Sequence, residues 1–195
     1  MVSLIKKEKK VNYEKLKREI IEEHNKLRTN PSNFIEYLES HKDYFSGKII
    51  SKPKETPLQT QEGWSAFQEA INFFKRMKSY KPLKSLEVSE GLSKAAQVHA
   101  DDIGPKGIVG HMGSDNSTLT ERIEKCCQWG GSAGENICFG NKKAIDVISA
   151  LLVDDGVSTR GHRTNMLNPK FSFVGIGIQQ HKTYGICVVF DYSNI

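Results

Sequence analysis

Two apolar runs near the C-terminus alternate residue by residue: Val174, Ile176 and Ile178, then Ile186, Val188 and Phe190. A period of two sends every second side chain to one face, so the runs read as strands of a hairpin over about Phe171 to Gln180 and Tyr184 to Tyr192. Two strands cannot bury an apolar face by themselves, so helical layers must cover them. The upstream chain supplies helices. Leu16, Ile20, Ile21, His24 and Leu27 recur at spacings of three and four, which predicts a helix from about Asn12 to Arg28 with Asn12 as N-cap and Lys15 at the capping-box position. Asn30-Pro31-Ser32 breaks it, and Phe34, Ile35 and Leu38 mark a second helix.

From about Lys42 to Glu62 the periodicity weakens. Pro53, Pro57 and the polar run Thr56, Gln59, Thr60 and Gln61 predict a surface excursion with a mobile tip. Helices follow over about Gly63 to Ser79, with Phe67, Ile71 and Phe74 on one side, and over Ser89 to Asp102, with Leu92, Ala95, Ala96 and His99. The second half is rich in glycine. It predicts a short helix over Thr118 to Cys127, a strand over Gly134 to Gly140, an apolar helix over Ala144 to Val153 and a turn or two of helix over Gly161 to Leu167. The expected architecture is α+β, a three-layer α-β-α sandwich with no internal repeat. Its parts are a basic N-terminal arm over residues 1–11 and a single domain over 12–195, with an insertion at about 42–79.

The 195 residues suit one core. The net charge of +5 is modest, and part of it sits in the cluster Lys6, Lys7, Lys9 and Lys10. No basic stripe interleaved with aromatics accompanies that cluster, so a flexible or partner-bound arm is expected and a nucleic-acid-binding face is not. No stretch approaches the ~18 apolar residues of a membrane span. The N-terminus MVSLIKKEKK lacks the longer apolar segment of a signal peptide. With Met1 as the native start an intracellular protein is expected; with a trimmed start, a secreted one. Cys126 and Cys127 are adjacent, where a disulfide is strained, and Cys138 and Cys187 read as buried thiols or one bridge. A zinc-thiolate site is not expected from this spacing, and free thiols agree with a reducing compartment.

Three segments place an ionisable side chain beside glycine: Gly110-His111-Met112-Gly113-Ser114-Asp115, Gly134-Glu135-Asn136-Ile137 and Gly161-His162-Arg163-Thr164-Asn165. Two imidazoles and a carboxylate suit Zn²⁺, since neutral imidazole nitrogen and carboxylate oxygen are both ligands of that ion. Spacing alone does not bring His111 and His162 together, because 51 residues separate them. Ser114 beside His111 raises a nucleophile-base reading, but sequence neighbours rarely hold that geometry and no oxyanion hole is evident. Asn136 is expected to tie loops together, Arg163 to pair with Asp154 or Asp155, and Trp129 to pack.

These segments occur in the order and spacing of the CAP superfamily, named for cysteine-rich secretory proteins, antigen 5 and pathogenesis-related 1 proteins. His24-Asn25-Lys26-Leu27-Arg28 resembles that family's opening helix, and LSKAAQVH (Leu92 to His99) its next. GHMGSD, GENI and GHRTNML resemble its cavity motifs, and VGIGI with YGICVVFDY its closing strands. The resemblance implies a sandwich of the CAP type with extra N-terminal helices. It also implies a pocket in which His111 and His162 are metal ligands, with Zn²⁺ the candidate ion, beside the carboxylate Glu135. Family members carry a fourth cavity residue before the second histidine. Asp155 is the first choice for it and Asp154 the next, against the alternative that both aspartates cap the following turn.

The resemblance implies a site more than a reaction. The leading expectation is a non-catalytic binding module that docks a protein partner or serves as a structural subunit of a larger assembly inside the cell. A secreted sterol- or lipid-binding protein is the alternative. A metal-dependent hydrolase, with Glu135 as base toward a metal-bound water, is the third.

Overall fold

Helix α1 (Tyr13–Thr29) begins where Asn12 accepts a hydrogen bond from the Lys15 backbone N–H, and it buries Leu16, Ile20, His24, Leu27 and Arg28. It opens a computed structural model that describes residues 11–76 and 82–194. The lysine cluster expected to form a basic arm, and the last residues of the helix expected up to Ser79, lie outside the described residues.

Strands β4 (Glu87–Val88), β5 (Ala133–Phe139), β6 (Phe173–Gln179) and β7 (Cys187–Ser193) form one sheet in the order β4-β6-β7-β5. β4 runs parallel to β6, and the other pairs are antiparallel. The alternation read from the sequence becomes two buried faces. Val174, Ile176, Ile178, Val188, Phe190 and Tyr192 pack with α1, α2 (Asn33–Glu39), α3 (Trp64–Arg76) and α6 (Ala144–Val153). Ile137, Cys187 and Val189 face the other way, onto Ala96, Ala100 and Ile103 of α4 (Glu90–Lys106). Sheet and two helical layers make the three-layer sandwich that the sequence implied.

Helix α4 rests directly on glycine. A Cβ at Gly175 would lie 2.0 Å from the carbonyl carbon of Leu92, and one at Gly177 would lie 2.3 Å from that of Ala96. Only glycine admits the helix backbone this close to the strand.

The stretch from Lys42 to Glu62 is more ordered than its composition suggested. After a short 3₁₀ turn at Lys42–Tyr44, β1 (Phe45–Ser46), β2 (Ile49–Ile50) and β3 (Leu58–Gln59) form a second, antiparallel sheet. Lys52 ties it to α6 through Asp146 at 3.0 Å. The base of the excursion at Lys52 is thus fastened to the sandwich, while Pro53 to Pro57 stay exposed, and α3 behind it is core, with Ala66, Ala70 and Ile71 fully buried.

Candidate functional site

The loop after α4 carries His111, and three buried or half-buried side chains shape it. His99 Nε2 lies 3.1 Å from the Gly110 carbonyl, Arg122 donates to the His111 carbonyl at 3.1 Å, and the Ser114 N–H donates to Asp102 at 2.6 Å. Gly110 has φ 140°, a conformation that disfavours any side chain. Arg122 belongs to α5 (Leu119–Glu124), whose N-terminus is closed by a capping box between Thr118 and Glu121.

Glu135 projects from β5 between these groups. Its Oε1 accepts from His111 Nδ1 at 2.8 Å, and its Oε2 from the Arg122 guanidinium at 2.7 Å. Burial works to raise the pKa of Glu135, but the His111 hydrogen bond and the Arg122 charge outweigh it, and the net shift is downward. His99, fully buried below, is pushed down by burial and stays neutral.

His162 sits in the first turn of α7 (Gly161–Met166). Asp154 caps the end of α6 in the left-handed conformation, φ 56°, and turns its carboxylate back onto α7. One oxygen accepts from His162 Nδ1 at 2.6 Å and the other from the His162 backbone N–H at 2.9 Å. Asn136 donates to the His162 carbonyl at 3.0 Å and accepts from Asn165 at 2.9 Å, so its amide ties β5 to α7.

The rings of His111 and His162 lie 6.4 Å apart between centroids, tilted by 35°. Both line one opening, with Glu135, Val157 and Asn165. Each ring is held at Nδ1 by a buried carboxylate, and among the described residues neither Nε2 carries a hydrogen bond. The structure thus brings together His111, Glu135 and His162.

Asp155, the first choice for the fourth cavity carboxylate, goes elsewhere. Its oxygens accept from the backbone N–H groups of Gln61 at 2.7 Å and Glu62 at 2.8 Å, fastening the end of the small second sheet, while Asp154 takes the place beside His162. The left-handed bend at Asp154 explains the choice, since it turns adjacent side chains in opposite directions. Arg163, expected to pair with Asp154 or Asp155, instead forms a fork on Glu69 of α3, at 3.0 and 2.7 Å. All four cysteines are free thiols, and Trp129 packs beside Leu92, Ala95 and Ile123.

Arg122 and Asp191 were not singled out in the sequence. The signal for Asp191 was available: a carboxylate at an inward position of an otherwise apolar strand must answer to something inside.

The family model described as the cysteine-rich secretory protein family, CAP, matches residues 21–192. The chain belongs to the CAP family. A relative, the uncharacterized protein YkwD of Bacillus subtilis, is 32% identical over 95 residues. That alignment spans 49% of this chain and 35% of the relative's length. Similar solved structures include an extracellular protein containing an SCP domain from Bacillus anthracis, 20% identical with a TM-score of 0.49. The match covers 66% of this chain and 40% of that one. An outer surface protein from Borrelia burgdorferi is also 20% identical with a TM-score of 0.49, over 65% of this chain and 87% of that one.

A metal ion can be weighed against these residues. Two imidazoles on one tetrahedral Zn²⁺, with bonds of about 2.0–2.1 Å, hold their centroids about 5 Å apart. The observed pair, at 6.4 Å, is wider by about an ångström. The donor chemistry fits, because a metal-binding histidine commonly rests its other nitrogen on a carboxylate. Among the described residues no group of three or more His, Cys, Asp or Glu side chains is arranged around one ion. Also among these residues, no helix is long and apolar enough to cross a membrane.

Proposed function

We propose that this CAP domain is a non-catalytic binding module whose ligand face lies between His111 and His162. The observation that carries this reading is the tethering. Glu135 and Asp154 hold both rings by Nδ1, and both Nε2 edges are left for a ligand. A divalent cation such as Zn²⁺ would be held by His111 and His162 and would supply a Lewis-acid contact for a carbonyl or anionic group of the partner. With two protein ligands the hold is weak and exchangeable, which suits docking better than permanent structural metal.

A hydrolase fits the same residues less well. Glu135 would have to act as base, and both of its oxygens are already engaged by His111 and Arg122. Ser114 is spent on Asp102.

A sterol or lipid ligand is the second reading, and one feature favours it. A groove of about 560 Å³ runs from His162 and Asp154 between α6 and the insertion, lined by Ile50, Leu58, Phe67, Phe139 and Leu151 among others. That size and lining suit an apolar body with a polar end at the histidines.

Chemical-shift mapping on the isotope-labelled chain tests both. Titration with Zn²⁺ is expected to move His111, His162 and their loops first. Shifts confined to the groove on adding a sterol or fatty acid would favour the second reading. Shifts that avoid both places with either probe would refute the proposal.

A further inference from the structure

Asp191 lies in the centre of β7, opposite Glu135 in the antiparallel register with β5 and opposite Gly175 on β6. It is fully buried, and among the described residues neither of its oxygens has a hydrogen-bond partner. Directly opposed side chains on one face have their Cβ atoms about 4.5–5.5 Å apart, so the two carboxyl groups are neighbours. Gly175, with no side chain, leaves the space that Asp191 occupies.

The charges around this pair can be counted. Arg122 reaches in from α5, His99 from α4, and the Cys127 thiol from the turn after α5. Tyr192, the next residue of β7, faces the opposite side of the sheet, where burial keeps its hydroxyl protonated. His99 is neutral, so one guanidinium is the only permanent cation among these groups facing two carboxyls. That guanidinium donates to Glu135 Oε2, to Ser117 O and to His111 O, and none of its bonds goes to Asp191. Glu135 receives two donors and Asp191 receives none. An ionised carboxylate without a donor in this surrounding is far costlier than a neutral acid.

We propose that Asp191 is a carboxylic acid whose O–H points at Glu135, and that this contact keeps Glu135 aimed at His111. Asp191 is then a positioning residue. It touches no ligand, and it acts by holding the carboxylate that holds the ring. Burial, next the charge of Glu135, and then a contact between the two carboxyl groups push its pKa well above the usual carboxylate range, while the Arg122 charge opposes them. The inference rests on the reading of His111 as a ligand-facing ring, but the arrangement itself exists in the free protein.

Carboxyl-carbon NMR on the ligand-free chain tests it without reference to any ligand. The Asp191 signal is expected to keep its protonated shift after the exposed carboxylates have titrated near pH 4. Titration together with those carboxylates would overturn the proposal. Crystal structures of two variants test the positioning. Asp191→Asn keeps a neutral donor and is expected to retain the Glu135–His111 contact, whereas Asp191→Ala is expected to lose it. Retention of the contact in Asp191→Ala would show that Asp191 only fills space. If the Asp191→Ala chain fails to fold, the comparison of Asp191→Asn with Asp191→Leu, which fills the volume without a donor, decides the same point. A failure of the binding reading would leave these results standing, since none of them measures binding.

Discussion

Asp154 and Asp155 are neighbours in the chain and serve opposite sides of it: Asp154 grips His162, and Asp155 grips the backbone of Gln61 and Glu62. One bend, with Asp154 at φ 56°, therefore sets the His162 ring and anchors the segment before α3 at once.

Substitution separates the two roles. Asp154→Asn is expected to weaken Zn²⁺ binding about 10- to 100-fold, the usual effect of losing the group that orients a metal-binding histidine. Asp155→Ala is expected to leave binding within a few-fold and to cost about 1 kcal/mol of stability. Calorimetric metal titration and urea unfolding of both variants check the pair.

The segment before α3 is also held by Glu62 and Arg160. The guanidinium meets both Glu62 oxygens, at 2.6 and 2.7 Å, and Glu62 accepts the Gly156 N–H at 2.8 Å. The Arg160 hydrogen bond draws the Glu62 pKa down to about 2. Arg160→Ala is expected to speed amide hydrogen exchange across residues 45–62 and in the 154–162 loop together. Exchange that changes in only one segment would show that the two are not coupled.

Helix α4 offers a test of packing. Gly175→Ala and Gly177→Ala put a methyl group into helix backbone rather than into a yielding side chain. Each is expected to cost about 3 kcal/mol or more, read as a lower denaturant midpoint, and to displace the His111 loop.

The fold was legible where periodicity spoke. Val174, Ile176 and Ile178 marked their face unaided, and the stripe from Leu16 to Leu27 marked α1. The strands between Phe45 and Gln59 were not legible, because two-residue strands held by Lys52 and Asp155 carry no alternating pattern of their own. The site was legible in part. His111, Glu135 and His162 each stand beside a glycine in a recognisable motif, whereas the choice between Asp154 and Asp155 depended on one backbone angle that the residue types do not encode.

His24 makes stability depend on pH. It is fully buried with Nε2 near the Met166 carbonyl, and burial lowers its pKa from 6.5 to about 3. The unfolded chain therefore binds a proton between those values that the folded chain refuses. The contribution of neutral His24 is fully present above about pH 6.5 and is lost as pH falls, with a slope approaching 1.4 kcal/mol per pH unit. His24→Gln is expected to flatten that part of the profile, measured by urea unfolding from pH 7 to pH 4.

Calorimetric titration of the native chain with Zn²⁺, beside His111→Ala and His162→Ala, bears most directly on the claim that two carboxylate-tethered imidazoles form one ligand face. The account predicts a single weak site in the native chain that either substitution removes. Binding that survives both substitutions, or a native chain that takes up no ion, would contradict it.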